Sequence, residues 1–277
     1  MSFEPDHVQT SSSVDVIIDG ESSDTVLMLH GWPDTHHLWD ALVTHLKPHW
    51  RCVRFTLPGF DGAHPRRGHS LDELVAMLQR VIEQVSPGKP VTLLLHDWGC
   101  VFGYQFAMRH PQLVQRVIGV DVGDAGSRAH VASMPRKAKS MVFAYQAWLA
   151  LAWRIDRAFG GDSASKSVSL GDRMTRAMAR WVRCPSDPQR INAGMCYPYD
   201  ITWTGSHGGY RHAVPFVPRW PMLYLYGRRK PFQFQSNEWL AALRAQPGSR
   251  VIEFNTGHWL MTARPEEFNR AVAEWLG

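Results

Sequence analysis

Short apolar runs closed by glycine, proline or a polar turn alternate along this chain with stretches whose apolar residues recur every three or four positions. Runs of the first kind, at 14–18, 25–29, 51–57 and 91–95, have the pattern of strands buried in a sheet. The second kind has the spacing of helices with one buried face. It covers 38–46, then Ser70 to about Val85, then the stretch from Val101 to His110-Pro111. Ser70-Leu71-Asp72-Glu73 offers a capping box at the start of the second helix. A further strand is expected at 116–122. From about 124 to 218 strand signals largely vanish. Helical segments at 141–155 and 173–182 are separated by breaks at Gly160-Gly161 and 185–188, and Trp148, Trp153, Trp181 and Trp203 fall in this region. Alternation then resumes with a strand at 221–226, a helix at 236–245, a strand at 250–255 and a helix at 265–276.

Strands alternating with helices predict an α/β fold with a mostly parallel central sheet and helices on both faces. The break in pattern divides the chain into a core, 1–123 with 219–277, and an inserted helical cap, 124–218. Ligands of such sheets bind beyond the carboxyl ends of the strands.

Composition narrows the class. The chain has 277 residues, 44% hydrophobic and 20% charged, with a net charge of +5. The densest cationic stretch, Arg173, Arg176, Arg180 and Arg183, has helical spacing and reads as one solvated face. No nucleic-acid module or long basic tract accompanies it, so a nucleic-acid partner is not expected. Cys52, Cys100, Cys184 and Cys196 lack the paired spacing of metal or redox sites, and Cys52 and Cys100 are expected as buried thiols. Residues 1–13 are polar and acidic, without a secretory pattern, and no apolar stretch is long enough to span a bilayer. The expectation is a cytoplasmic enzyme with no membrane span, no metal and no cofactor. A homodimer is the one protein partner that the reading allows for.

The chemistry centres on Leu93-Leu94-Leu95-His96-Asp97-Trp98-Gly99-Cys100. A buried strand runs into a carboxylate, a glycine and a helix. Asp97 there is either an ordinary helix N-cap or a nucleophile on a sharp turn, with the helix N–H groups behind it. Two other stretches bear on the choice. His30-Gly31-Trp32-Pro33-Asp34 ends the 25–29 strand on the same rim, and Thr256-Gly257-His258-Trp259 follows the last strand. A carboxylate nucleophile needs a base to activate water, and His258 stands where one is needed. Backbone N–H groups of Trp32 and Trp98 would hold an oxyanion. His30 and His96 are expected to pack or hydrogen-bond beside their turns.

These three motifs, in this order around a helical insertion, resemble the α/β-hydrolase superfamily, and more closely its epoxide hydrolase and haloalkane dehalogenase branch, whose nucleophile is Asp. The resemblance covers nearly the whole chain. It implies a hydrolase that forms an ester on Asp97 and cleaves it with water activated by His258, on a small hydrophobic substrate. Epoxide hydrolases carry two cap tyrosines that protonate the epoxide oxygen. Phe143-Ala144-Tyr145-Gln146 resembles the first such site. In Cys196-Tyr197-Pro198-Tyr199, Tyr197 is favoured for the second and Tyr199 is the alternative. Trp32 between Gly31 and Pro33 fits the epoxide hydrolase pattern better than the dehalogenase one. Two departures stand out. The family's usual relay acid, in a Gly-x-x-Asp setting, is replaced by Gly227-Arg228-Arg229-Lys230, which leaves Asp121, with Asp124 in reserve, at the location used by some dehalogenases. Leu95 also stands where the elbow motif usually has a small residue. A haloalkane dehalogenase is the runner-up, and a non-catalytic binding protein on this fold the third reading.

Overall fold

A computed structural model describes residues 6–9, 14–62, 66–159 and 168–277. Eight strands form one sheet: β1 (Asp6–Gln9), β2 (Asp15–Asp19), β3 (Thr25–Leu29), β4 (Arg51–Phe55), β5 (Val91–His96), β6 (Val114–Val120), β7 (Met222–Gly227) and β8 (Arg250–Phe254). Their spatial order is β1-β2-β4-β3-β5-β6-β7-β8. β1 and β2 pair antiparallel with their neighbours, and every pairing from β4 to β8 is parallel. Strands β3, β5 and β7 are buried at every position. This is why they read as unbroken apolar runs and not as alternating ones.

Helices α1 (Asp40–Leu46), α2 (Leu71–Val85) and α3 (Trp98–Arg109) connect the early strands. The capping box at Ser70 is formed: its hydroxyl accepts from the Glu73 N–H at 3.0 Å, and Glu73 accepts from the Ser70 N–H at 2.8 Å. Between β6 and β7 the chain makes α4 (Arg128–Ser133), α5 (Arg136–Phe159), α6 (Leu170–Trp181) and α7 (Tyr197–Thr204), with no strand among the described residues there. α8 (Asn237–Ala245), α9 (Leu260–Ala263) and α10 (Pro265–Leu276) complete the molecule. Two apolar clusters sit on opposite faces of the sheet. One joins α2, α3 and α8 to the sheet and continues into α5 and α7. The other packs α1 and α10 on the far side.

Several elements differ from the sequence expectation. β1 lies within a polar segment and is paired antiparallel with β2. α5 extends five residues before and four residues beyond 141–155. α4 and α7 carried no clear periodicity. Cys52 and Cys100 are buried free thiols, as expected from their elements.

Candidate active site

The carboxyl ends of β3, β5 and β6, with the loops after β7 and β8, converge on Asp97. This residue adopts φ 52° and ψ −120°, a left-handed conformation that costs a non-glycine residue of order 1–3 kcal/mol. It occupies the N-cap position of α3, yet its side chain makes no capping bond. Its Oδ1 instead accepts the Trp32 backbone N–H at 2.7 Å. The ordinary N-cap reading is therefore excluded by geometry.

So tight a turn needs small neighbours. A Cβ on Gly31 would meet Asp97 Oδ1 at 2.4 Å, and one on Gly99 would meet the Leu29 carbonyl oxygen at 2.5 Å. Leu95, the bulky member of the motif, is accommodated by Gly103, where a Cβ would lie 2.4 Å from Leu95 Cδ2. The missing side chain on α3 leaves the space that the strand residue fills.

His258 stands between two carboxylates. Its Nε2 is 3.6 Å from Asp97 Oδ2, and its Nδ1 bonds Asp121 Oδ2. Asp121, fully buried at the end of β6 with φ 67°, also takes the Gly227 N–H at 2.9 Å and the Lys230 ammonium on Oδ1. Burial alone would lower the His258 pKa, but Asp121 and Asp97 outweigh it and raise it to about 9. Burial pushes the Asp97 carboxyl up, yet the hydrogen bond and charge of His258 hold it below the usual carboxylate range. Asp121 is likewise held low against burial, first by Lys230 and then by His258.

Asp124 lies elsewhere. It accepts from the Ser236 N–H and hydroxyl at 2.7 and 2.8 Å and from the Ser127 hydroxyl at 2.6 Å, fixing the start of α8 to the start of α4. His30 bridges two loops, accepting from the Leu57 N–H at 2.9 Å and so donating to the Gly31 carbonyl at 3.0 Å. His96 packs beside His258, ring centroids 4.5 Å apart, with neither ring nitrogen hydrogen-bonded.

A cavity of about 720 Å³ opens above Asp97 and His258, with Trp32, Tyr145, Tyr199 and Phe232 among its walls. Tyr145 on α5 and Tyr199 on α7 meet edge to face at 6.0 Å, and Tyr199 also contacts the rings of Trp98 and Trp32. Burial raises both phenol pKa values, which keeps them protonated as donors. Tyr197 is corrected by its position. Its ring packs behind the cavity against Phe60, His69 and Trp153, and its hydroxyl is buried without a partner. Lys230 and Asp34 escaped the sequence reading as parts of the site. Lys230 was visible only as a missing acid, and Asp34 as a turn residue beside Trp32.

Chemically, the arrangement offers a carboxylate, a base steadied by a second carboxylate, and two phenols facing an apolar cavity. The model for the alpha/beta hydrolase fold matches residues 24–265. Over 93% of its length this chain is 27% identical to a cis-3-alkyl-4-alkyloxetan-2-one decarboxylase of Xanthomonas campestris, covering 89% of that protein. It is 26% identical to epoxide hydrolase 3 of Xenopus tropicalis, over 91% of this chain and 71% of the relative. A 110-residue stretch, 39% of this chain, is 33% identical to a protein named "Probable oxidoreductase EphD" from Mycobacterium tuberculosis and spans only 18% of that protein. Among solved structures, an epoxide hydrolase of Bacillus megaterium with its diol product superposes with a TM-score of 0.72 at 19% identity, covering 98% of this chain and 99% of that one. The chain belongs to the alpha/beta hydrolase fold family.

Proposed function

We propose that this protein opens epoxides to diols through an ester on Asp97, with residues 124–218 acting as a cap over the site. The observation that carries the reading is the placement of Tyr145 and Tyr199 on the wall of the cavity that also holds Asp97 and His258. Asp97 attacks a ring carbon, the carbon–oxygen bond breaks, and a phenol proton goes to the departing oxygen. The strained turn, with its neighbours reduced to glycine, exposes the carboxylate for that attack. Esterification removes the negative charge from Asp97, and His258 then takes a proton from water as the water attacks the ester carbonyl. The Trp32 and Trp98 N–H groups receive the oxyanion. On collapse the departing diol oxygen takes the proton from His258, and the Asp97 acid left behind gives its proton to the phenolate formed in ring opening, which restores the carboxylate and the phenol together. Asp121 steadies the imidazolium throughout.

Incubation of the His258→Gln variant with an epoxide should leave an ester on Asp97, seen by mass spectrometry as the mass of the substrate on the peptide that contains it. Single turnover of the unaltered enzyme in oxygen-18 water should place unlabelled oxygen in the first diol, because that oxygen comes from Asp97. Label in the first turnover would reject the covalent route.

One observation favours a second reading. The decarboxylase aligned along 93% of this chain acts on oxetan-2-ones, which are also strained oxygen rings. Opening such a ring leaves an oxyanion that the same two phenols would receive. An adduct from the lactone and none from the epoxide would select this reading. An adduct only from a bromoalkane would select a dehalogenase, and none from a broad panel a binding protein.

A further inference from the structure

Three residues beyond β7, where the resemblance leads one to expect an acid, the loop turns a lysine inward. The Lys230 side chain is only 7% exposed, with its ammonium on Asp121 Oδ1 and 5.3 Å from the centre of the Phe234 ring. A buried ammonium is costly unless paired, so this arm is held by its partner. Asp121 is in turn gripped from both sides. Lys230 and the Gly227 N–H take Oδ1, and His258 takes Oδ2.

We propose that Lys230 is a positioning residue for His258: it fixes Asp121 with one oxygen toward the imidazole and offsets that carboxylate's charge, so that His258 can release its proton and act as base once Asp97 is esterified. This rests on the covalent reading above.

A base must be neutral when it meets water. In the resting site two carboxylates, Asp97 and Asp121, face His258. Ester formation cancels the charge of Asp97 and leaves that of Asp121. An unopposed buried carboxylate bonded to Nδ1 would keep the imidazole protonated at neutral pH. Lys230, on the other oxygen of the same carboxylate, opposes that pull. The remaining titratable neighbours do not substitute for it. His96, beside His258, is pushed by burial to about 3 and stays neutral. Asp34 lies beyond His96, 3.8 Å from its Nδ1, and burial raises its carboxyl to about 6. Among the described residues, Lys230 is the one Lys or Arg paired with Asp121.

The test needs no substrate. Asp97→Asn imitates the uncharged ester, and the His258 titration is followed in that background by nitrogen-15 NMR of the imidazole. Adding Lys230→Met should raise the His258 pKa by about one unit or more, the scale set by a charge at this range. Lys230→Gln, which retains a hydrogen-bond donor, should do the same and serves if the Met variant folds poorly. Lys230→Arg should leave the pKa near its starting value. With Asp121→Asn also present, the difference between Lys and Met at position 230 should disappear.

An unchanged or lowered His258 pKa in Lys230→Met and Lys230→Gln overturns the proposal, as does an equal shift with Asp121 already removed. In the enzyme with Asp97 intact, the pH profile of ester hydrolysis should move alkaline by the same amount in Lys230→Met. If no electrophile forms an ester on Asp97, the covalent reading fails, while the titration still decides what Lys230 does to His258.

Discussion

Tyr197 and Tyr199 lie two residues apart on α7, about 200° around a helix at 100° per residue. They therefore face opposite ways, and packing against α5 decides which one enters the cavity. With Tyr199 there and Tyr197 behind, substitution should separate them. Tyr199→Phe is expected to lower kcat/KM for an epoxide by about 10- to 100-fold, since one phenol of the pair remains, and Tyr145→Phe by a similar factor. Tyr197→Phe should leave kcat/KM within about twofold. It should also stabilise the fold by about 1 kcal/mol, because a buried hydroxyl without a partner is removed. Steady-state kinetics and urea unfolding of the three variants check both halves. At Asp121, the relay acid of the proposed mechanism, Asp121→Asn should slow ester hydrolysis by at least about 100-fold, whereas Asp124→Asn should mainly loosen the junction of α4 with α8 and show as lost stability.

At the scale of elements, the join between β5 and α3 holds Asp97, the proposed nucleophile, and its packing predicts a coupled pair. Gly103→Ala should destabilise by roughly 1–3 kcal/mol, because its new methyl meets Leu95. Leu95→Ala should cost about 2–5 kcal/mol through the cavity it leaves. Together the two should cost less than their sum, with a coupling of about 1–3 kcal/mol in urea unfolding, since the added methyl enters the space left by the leucine. Additivity would show that the two side chains do not share that space. The same join explains what was legible in the sequence. β3, β5 and the turns at their ends carried their burial and their glycines in local order, so the sheet and Asp97 could be read directly. The contact of His258 with Asp121 links residues 137 apart; Lys230 at the usual acid position pointed to the end of β6, where Asp121 was favoured and spacing alone left Asp124 as the reserve. α7 was hidden because Tyr197-Pro198-Tyr199 has no apolar period. Its face is set by α5, a contact that no local pattern encodes.

Across the whole molecule, one buried carboxylate ties the segment after α6 to the core beneath it. Asp34, 1% exposed, takes the Ser186 hydroxyl from that segment and the Trp259 indole N–H at 3.0 Å from the loop that carries His258. Burial raises its pKa from 3.8 to about 6, and its two hydrogen bonds only partly oppose the shift. An acid whose pKa is higher in the folded state binds more protons folded than unfolded between those values. Its contribution is thus fully present below about pH 4 and is lost as the pH rises through 6, leaving a penalty of about 3 kcal/mol above that. Asn at this position keeps an acceptor for Ser186 or Trp259 and carries no charge to bury. Asp34→Asn should therefore raise the melting temperature at pH 8, with the gain shrinking steadily between pH 6 and pH 4. A gain that stays constant across that range would mean the charge of Asp34 is not what the fold carries as a cost. If turnover falls while stability rises, the carboxylate is retained to hold the Trp259 loop, and His258 with it, at the distance from Asp97 that the chemistry requires.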